Sequence, residues 1–458
     1  MRIEPCTVSS CPITLMRTLP HEFGLTCLLG RPAEVQVRCA QTDRYAWIGI
    51  DPWAHVYAHQ GKVCLNGEHT TLTVEALLNQ WMQQYSLTAH VGLPPFQGGV
   101  IGVWHYDDAQ TLAHTQGHLQ SLPVNGEWFA FDLVISFDLI ESKAYLISTG
   151  HPETDLTAQA QRAHLRMEQL KIWLNEVPQV HAPEPVHWTL TPTVDEATYC
   201  QQVERAQSAI RAGELFQVNY TQAFEGPVST RHTWSVFEAL YHRNPAPFSG
   251  YFKGHLQTVM STSPERYLKV SGNQASSRPI KGTAPKGQTL HEWTQYAQAL
   301  KSCSKQRSEN TMIVDLVRND LSRVCQVGSV QVTQHCEVET FESVLHLVSE
   351  VVGTLRPDQT ALSALMALFP AGSITGAPKL KAMEWIQALE TQPRGAYCGA
   401  MGYLSFTGDL DSNVLIRTMT QTGQRLTAHA GGAVVLASSP RAEYEECLLK
   451  MNALIQAV

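Results

Sequence analysis

Lys281 lies between an isoleucine and a glycine in SSRPIKGTAPKG, the stretch that ends at Gly287. A lysine amine attacks carbon only when neutral, and its ordinary pKa is near ~10.4. Burial or a neighbouring cation favours the neutral form. In TSPERY, which ends at Tyr267, Glu265 supplies a carboxyl that can serve as a general acid. Further carboxylates fall on periodic stretches. In SENTMIVDLVRND (308–320), Glu309 shares a helix face with Met312 and Ile313, which sets it beside apolar neighbours. In PRAEYEECLLKMN (440–452), Glu443, Glu446 and Lys450 recur at i, i+3 and i+7 on one face. Taken alone, each set also reads as a solvated helix face with local ion pairs.

Between these two helices lie FPAGSITGAPKLK (369–381) and HAGGAVV (429–435), whose small residues leave backbone N–H groups open to an anion. The first is not a nucleotide-binding P-loop: it reads GxxxGAPK, with three residues between glycines where that loop has four. A tight turn accounts for either stretch more simply. His55 and His59 have HxxxH spacing without the glutamate of a zinc-protease helix, and a strand with outward histidines fits them better.

The elements that must carry these groups follow from periodicity and punctuation. A helix is expected over 155–174, with Leu165, Leu170 and Leu174 on its apolar face. Another opens at Asp195 or Glu196 and closes at Gly213. Strands are expected over 98–104, 129–137, 144–148, 215–224, 343–355, 396–406, 414–421 and 426–429. A long helix fits 290–321, and a last helix has Pro440 in its first turn. The proline-rich segment 175–188, NEVPQVHAPEPVHW, divides a region 1–185 from a region 186–458. This mixture is α+β: two face-to-face, antiparallel-rich sheets flanked by helices.

The 458 residues include 41 acidic and 33 basic side chains, a net charge of −8. Nucleic-acid surfaces need clustered cations, so that class of partner is excluded. An acidic protein that handles an anionic substrate must build local positive charge from a metal, an arginine or backbone amides. The 11 cysteines are irregularly spaced with no CxxC pair, as for reduced thiols. No apolar run reaches membrane-spanning length, and residues 1–25 lack a signal-peptide pattern. A cytoplasmic location without membrane partners is expected.

GELFQVNYTQ (213–222), TSPERY, RPIKGT, SENTMIVDLVRNDLSRV (308–324), FPAGSITGAPK, GAMGYLSFTG (399–408), NVLIRTM (413–419) and AHAGGAVV (428–435) stand in the order seen in chorismate-utilising enzymes. The chain resembles that family, which includes anthranilate, aminodeoxychorismate, isochorismate and salicylate synthases. The resemblance is dense over 190–458 and thin over 1–190, where it is limited to pieces such as YAWIGIDPWA (45–54). It implies an anthranilate synthase component I-like sandwich with the active site in the cleft between its sheets. Isochorismate and salicylate synthases resemble this chain but place a water-activating lysine where Gln217 stands, and glutamine takes up no proton at neutral pH. Anthranilate synthases typically read PIAGT where this chain reads PIKGT. Gln217 and Lys281 together point to the aminodeoxychorismate branch, which feeds 4-aminobenzoate and folate synthesis.

The resemblance also implies a set of roles. Glu309 and Glu446 would hold Mg²⁺, with Glu443 an outer or water-mediated partner, and the ion would bind the ring carboxylate of chorismate. Arg417 would clamp the enolpyruvyl carboxylate bidentately, and the amides of Gly431, Gly432 and Ala433 would assist at a carboxylate. Gln217 would line the substrate; Thr283, Thr375 and Tyr403 would give hydrogen bonds; His346 would lie beside the ring; Lys450 would pair with the metal-site acids. Lys281 would attack C2 while Glu265 protonates the departing C4 hydroxyl. Ammonia would then add at C4 and expel the lysine, leaving 4-amino-4-deoxychorismate. Where the family often has an acid, three residues before Glu309, this chain has Gln306, so a weaker or differently hydrated metal site is expected.

No stretch resembles a glutamine-hydrolysing nucleophile motif, and Cys398 falls within an expected strand. Ammonia from glutamine would need a separate amidotransferase subunit. Release of pyruvate to give 4-aminobenzoate would need a separate aminodeoxychorismate lyase. Two alternatives stay open: an anthranilate synthase component I, which places ammonia at C2 and expels pyruvate, and a catalytically inactive binding or regulatory homologue.

Overall fold

The computed structural model describes residues 1–9, 11–17, 19, 25–29, 44–59, 61–107, 125–175, 189–228, 233–341 and 344–455. Their strands form two large sheets in which every pairing is antiparallel. The first runs Arg2–Pro5, Lys143–Ser148, Leu133–Asp138, Tyr45–Gly49, Thr26–Leu29, Phe248–Lys253, Thr258–Ser263, Thr418–Thr422, Arg425–Val434, Gln217–Pro227, Thr191–Pro192. The second runs Ile280–Pro285, Val344–Thr354, Gln274–Arg278, Arg266–Ser271, Leu410–Val414, Ala400–Ser405, Gly99–Trp104, Gly126–Phe131, Ala54–His59, Lys62–Leu65, Glu68–Thr70. Strands from either side of 175–188 share both sheets: Thr26–Leu29 pairs with Phe248–Lys253, and Gly99–Trp104 with Ala400–Ser405. Residues 176–188 themselves lie outside the described residues.

Aromatic side chains join the two sheets. Phe252 of the first stacks on Phe129 of the second, with centroids 5.0 Å apart at 29°. Trp47 of the first meets Tyr403 of the second edge-on at 4.9 Å. The outer faces bury helix stripes. Asp195 caps the helix Glu196–Arg211 by accepting from the Thr198 N–H at 2.7 Å. Gly213, at φ +79, follows that helix as expected.

Several elements differ from the sequence expectation for identifiable reasons. In the helix Leu156–Asn175 the buried stripe is Ala163, Met167, Leu170 and Leu174, whereas Leu165 is 62% exposed. The expected long helix is two, Leu290–Ser302 and Ser304–Ser322, parted at the extended Cys303. The first packs Ala297 and Leu300 onto Leu345 and Leu347, while the second buries Ile313, Val314 and Val317 in the main core. The run 129–137 is the end of Gly126–Phe131 in one sheet and most of Leu133–Asp138 in the other. Asp132, at the crossing, is fully buried against Arg162 and Arg166. The run 396–406 becomes a strand only at Ala400; Cys398 is in the preceding turn with φ +63. His59 is exposed on its strand, but His55 is buried, with Nε2 2.7 Å from Glu127 Oε1.

Candidate active site

Two of the singled-out residues occupy places where the chain passes from one sheet to the other. Glu265 lies between Thr258–Ser263 in the first and Arg266–Ser271 in the second; Arg417 lies between Leu410–Val414 in the second and Thr418–Thr422 in the first. The crossings are stitched together. The Val414 N–H donates to the Glu265 carbonyl at 3.1 Å, the Thr262 N–H to the Arg417 carbonyl at 3.0 Å, and the Ser263 hydroxyl to the Val414 carbonyl at 2.6 Å. Arg417 has φ +51, a left-handed conformation unfavourable for arginine. Burial pulls its pKa down. Such a desolvated cation is suited to receive a carboxylate from outside the protein.

Lys281, partly buried, is on the edge strand Ile280–Pro285. Burial lowers its pKa; Glu265, Glu309 and Glu446 oppose the shift, Lys450 adds to it, and the net direction is down. Groups far apart in sequence therefore act on one amine. Glu265 is 3% exposed, and burial raises its carboxyl to about 7 despite Ser373 beside it and the charge of Lys281. His346 Nδ1 lies 3.0 Å from Thr283 Oγ1 and 3.3 Å from the Gly282 carbonyl oxygen. Burial and the Arg417 charge depress its pKa to about 3, so the ring is neutral. A proton on Nδ1 satisfies the Gly282 carbonyl and leaves Nε2 as an acceptor.

Several buried polar atoms have no protein partner. They include both amide atoms of Gln217, His346 Nε2 and Gln306 Oε1. A Cβ at Gly282 would come 3.0 Å from that Gln306 oxygen, which places it against the Lys281 strand. An unsatisfied buried polar group costs about 1–3 kcal/mol, so a polar ligand or water is the natural partner for each.

The final helix, Pro440–Ile455, brings its acids to the HAGGAVV strand. A Cβ on Gly432 would fall 2.9 Å from Glu443 Oε2 and 3.6 Å from Glu446 Oε1, so glycine makes room for both carboxylates. Burial raises the Glu443 pKa, the Ser438 hydroxyl at 2.7 Å lowers it, and the Glu446 charge raises it again. Lys450 Nζ donates to the Gly431 carbonyl at 2.9 Å and pairs with Glu446 at 2.7 Å. Among the described residues, no three His, Cys, Asp or Glu side chains already cluster closely enough to hold a metal. The carboxylates nonetheless offer only oxygen donors, the ligand type that a hard cation such as Mg²⁺ takes.

Gly431, Gly432 and Ala433 form a strand and not a turn, opposite Thr221, Tyr220 and Asn219. Its other edge is paired only as far as Ala428 among the described residues. Thr375 is buried and donates to the Ala371 carbonyl at 2.8 Å. Its loop presses on the Gln217 strand so closely that a Cβ at Gly376 (φ +140) would sit 2.3 Å from the Gln217 carbonyl oxygen. Tyr403 is not brought to this cluster. It lies in the aromatic core and lines a cavity of about 490 Å³ with Arg44, Trp47 and Asp411. Two side chains escaped the sequence reading: Ser373, beside Glu265, and Tyr397, whose ring stacks on His429 at 5.0 Å and 11°. Both stand within stretches that had been singled out, but neither type at its position signals chemistry by itself.

Comparison with known proteins shows the family and the fold. The family described as chorismate binding enzyme matches residues 31–456. Aminodeoxychorismate synthase component 1 of Bacillus subtilis (strain 168) is 32% identical over 438 residues, 93% of this chain and 92% of the relative. Anthranilate synthase component 1 of Thermus thermophilus is 33% identical over 454 residues, 98% of this chain and 95% of the relative. The crystal structure of anthranilate synthase component I from Streptococcus pneumoniae superposes with a TM-score of 0.78 at 30% identity, covering 90% of this chain and 92% of that one. The chain belongs to the chorismate-binding enzyme family.

Proposed function

We propose that this protein aminates chorismate at C4 to give 4-amino-4-deoxychorismate, with Lys281 as a covalent nucleophile. The observation that carries the reading is the Lys281 amine, partly buried beside Glu265 and driven toward its neutral form. A carboxyl near 7 holds its proton over much of the neutral range, which suits Glu265 to a departing hydroxyl. The Lys281 nitrogen bonds to C2, the ring double bonds shift, and the C4–O bond breaks as Glu265 delivers its proton, releasing water. Ammonia then bonds to C4, the double bonds shift back, and the C2–N bond to Lys281 breaks, so the net change is hydroxyl for amine. Arg417 receives a substrate carboxylate, and Gln217 and neutral His346 offer their unsatisfied atoms to the ring substituents. Glu309 and Glu446 would hold Mg²⁺, with Glu443 as an outer partner; the bound ion supplies positive charge to the ring carboxylate.

Relatives named component 1 support a second component, here a glutamine amidotransferase that delivers ammonia. A separate lyase would convert the product to 4-aminobenzoate. Among the described residues no helix is long and apolar enough to cross a membrane; the location we infer is the cytoplasm.

The test is product identity from purified protein, chorismate, Mg²⁺ and an ammonium salt, by chromatography with mass detection. A product that keeps the enolpyruvyl group, and that an added lyase turns into 4-aminobenzoate, supports the reading. The second reading is anthranilate formation, favoured by relatives of that name matching at comparable identity. Anthranilate as product would replace the first reading with the second, and isochorismate would mean that Gln217 does not exclude water.

A further inference from the structure

Arg394 is 3% exposed and is tied to three separate stretches of chain. Its Nε and Nη2 donate to the Glu390 carboxylate at 2.9 and 2.6 Å, a two-pronged pair. Nη1 donates to the Ile374 carbonyl at 3.0 Å, and Nη2 also donates to the Asn219 carbonyl at 2.8 Å. The guanidinium lies 4.4 Å from the centroid of the Tyr106 ring, whose hydroxyl reaches Thr375 Oγ1 at 3.4 Å. Glu390 Oε1 in turn accepts from the Thr221 N–H and the Thr221 hydroxyl, both at 2.9 Å. The bonded carbonyls are thus next to Thr375 on one side and two residues from Gln217 on the other.

We propose that Arg394, clamped by Glu390, is the positioning residue that sets the Gln217 strand and the Thr375 loop at the spacing that chorismate requires. The inference rests on Gln217 and Thr375 lining the substrate, as in the function proposed above. A planar fork with fixed donors can define a distance between two backbones, which an apolar residue of equal volume cannot. Replacing both partners of a buried ion pair by apolar groups is often neutral for stability, whereas removing one leaves a buried charge and is strongly destabilising, so single substitutions are read against a destabilised control. The carbonyls it holds carry no other side-chain contact of this kind among the bonds described, while Asn219 adds a second tie by donating from its side chain to the Ser373 carbonyl at 3.3 Å.

The experiment measures equilibrium binding of chorismate in the presence of Mg²⁺ to the full chain carrying Arg394→Met, Arg394→Lys or Glu390→Gln. Thermal midpoints are recorded for each. Leu170→Ala, in the helix Leu156–Asn175, is the destabilised control away from these contacts. We expect Arg394→Met to weaken chorismate binding by roughly tenfold or more, as misplacement of substrate-holding groups does, and Arg394→Lys to recover only part of it. The nearly isosteric Glu390→Gln carries the same test if Arg394→Met does not fold, with a loss of about threefold expected from the weakened fork. In variants that turn over, the loss should fall on KM and leave kcat within about threefold. Binding equal to the parent chain, or weakened no more than by Leu170→Ala at a matched midpoint, overturns the proposal. Because the readout is binding, a parent chain that binds chorismate but makes another product would refute the amination reading alone.

Discussion

The space between the two sheets is filled in two contrasting ways. In one part Phe129, Phe252, Trp47 and Tyr403 close it with ring-on-ring contacts and are buried almost completely. In the other, Gln217, His346 and Gln306 have buried polar atoms with no protein partner, the last two against the strand of a lysine whose pKa and that of Glu265 approach each other from opposite sides. The first region supplies stability by burying apolar surface. The second gives some of that stability up, holding desolvated groups ready for a ligand. Substitutions in the two should therefore move different observables, and the largest should come from the cleft. Lys281→Ala is expected to lower C4 amination by roughly 10³–10⁴-fold, from loss of the nucleophile, while the thermal midpoint holds or rises. A variant that aminates at the parent rate would rule out the covalent route.

The aromatic part predicts the converse. Phe252→Ala removes a fully buried ring and should destabilise the fold by about 3–5 kcal/mol in denaturant titrations. Below its unfolding transition the variant should keep the parent KM for chorismate. A KM raised in step with the stability loss would show that the two regions are one mechanical unit and would break the comparison.

The cleft was more legible than the scaffold around it. Lys281, Glu265, Glu309, Glu446 and Lys450 stand out because their stretches resemble the family in order and spelling, whereas each stretch alone also reads as a solvated face or a surface lysine; the fold brings their charges onto one amine. Tyr403 could not be placed, since adjacent strand positions face opposite sides and only the pairing register decides which side a given residue takes. Its strand pairs Tyr403 with Ile101 and Asp411, and the ring is directed into the aromatic core. The crossings at Asp132 and at 415–417 were equally hidden. Strands buried on both faces read as continuous apolar runs, so a run that leaves one sheet and enters the other shows no change of period. What betrays the first crossing is a buried aspartate with two arginines 30 and 34 positions away in sequence, partners that only the fold supplies.

A smaller effect sharpens the comparison through pH. The Glu265 pKa is raised in the folded protein to about 7 from a reference of 4.5, chiefly by burial. Between those values the folded state holds a proton that the unfolded state has released, so this group's contribution to stability falls as pH rises from about 4.5 toward 7 and then levels off. Glu265→Gln keeps the shape and removes the titration. Without ligand, the variant should thus gain on the parent chain as pH rises, by up to about 3 kcal/mol at pH 8, and the gain should vanish below about pH 4. Amination should respond in the same sense: the parent rate falls as pH rises above about 7, because the acid that protonates the leaving hydroxyl is lost, and the variant is slow at every pH. Denaturant titrations at several pH values check the first half, and pH–rate profiles the second. A variant no more stable than the parent at pH 8 would mean that Glu265 is ionised and well solvated, and the proton for the leaving hydroxyl would have to come from another group.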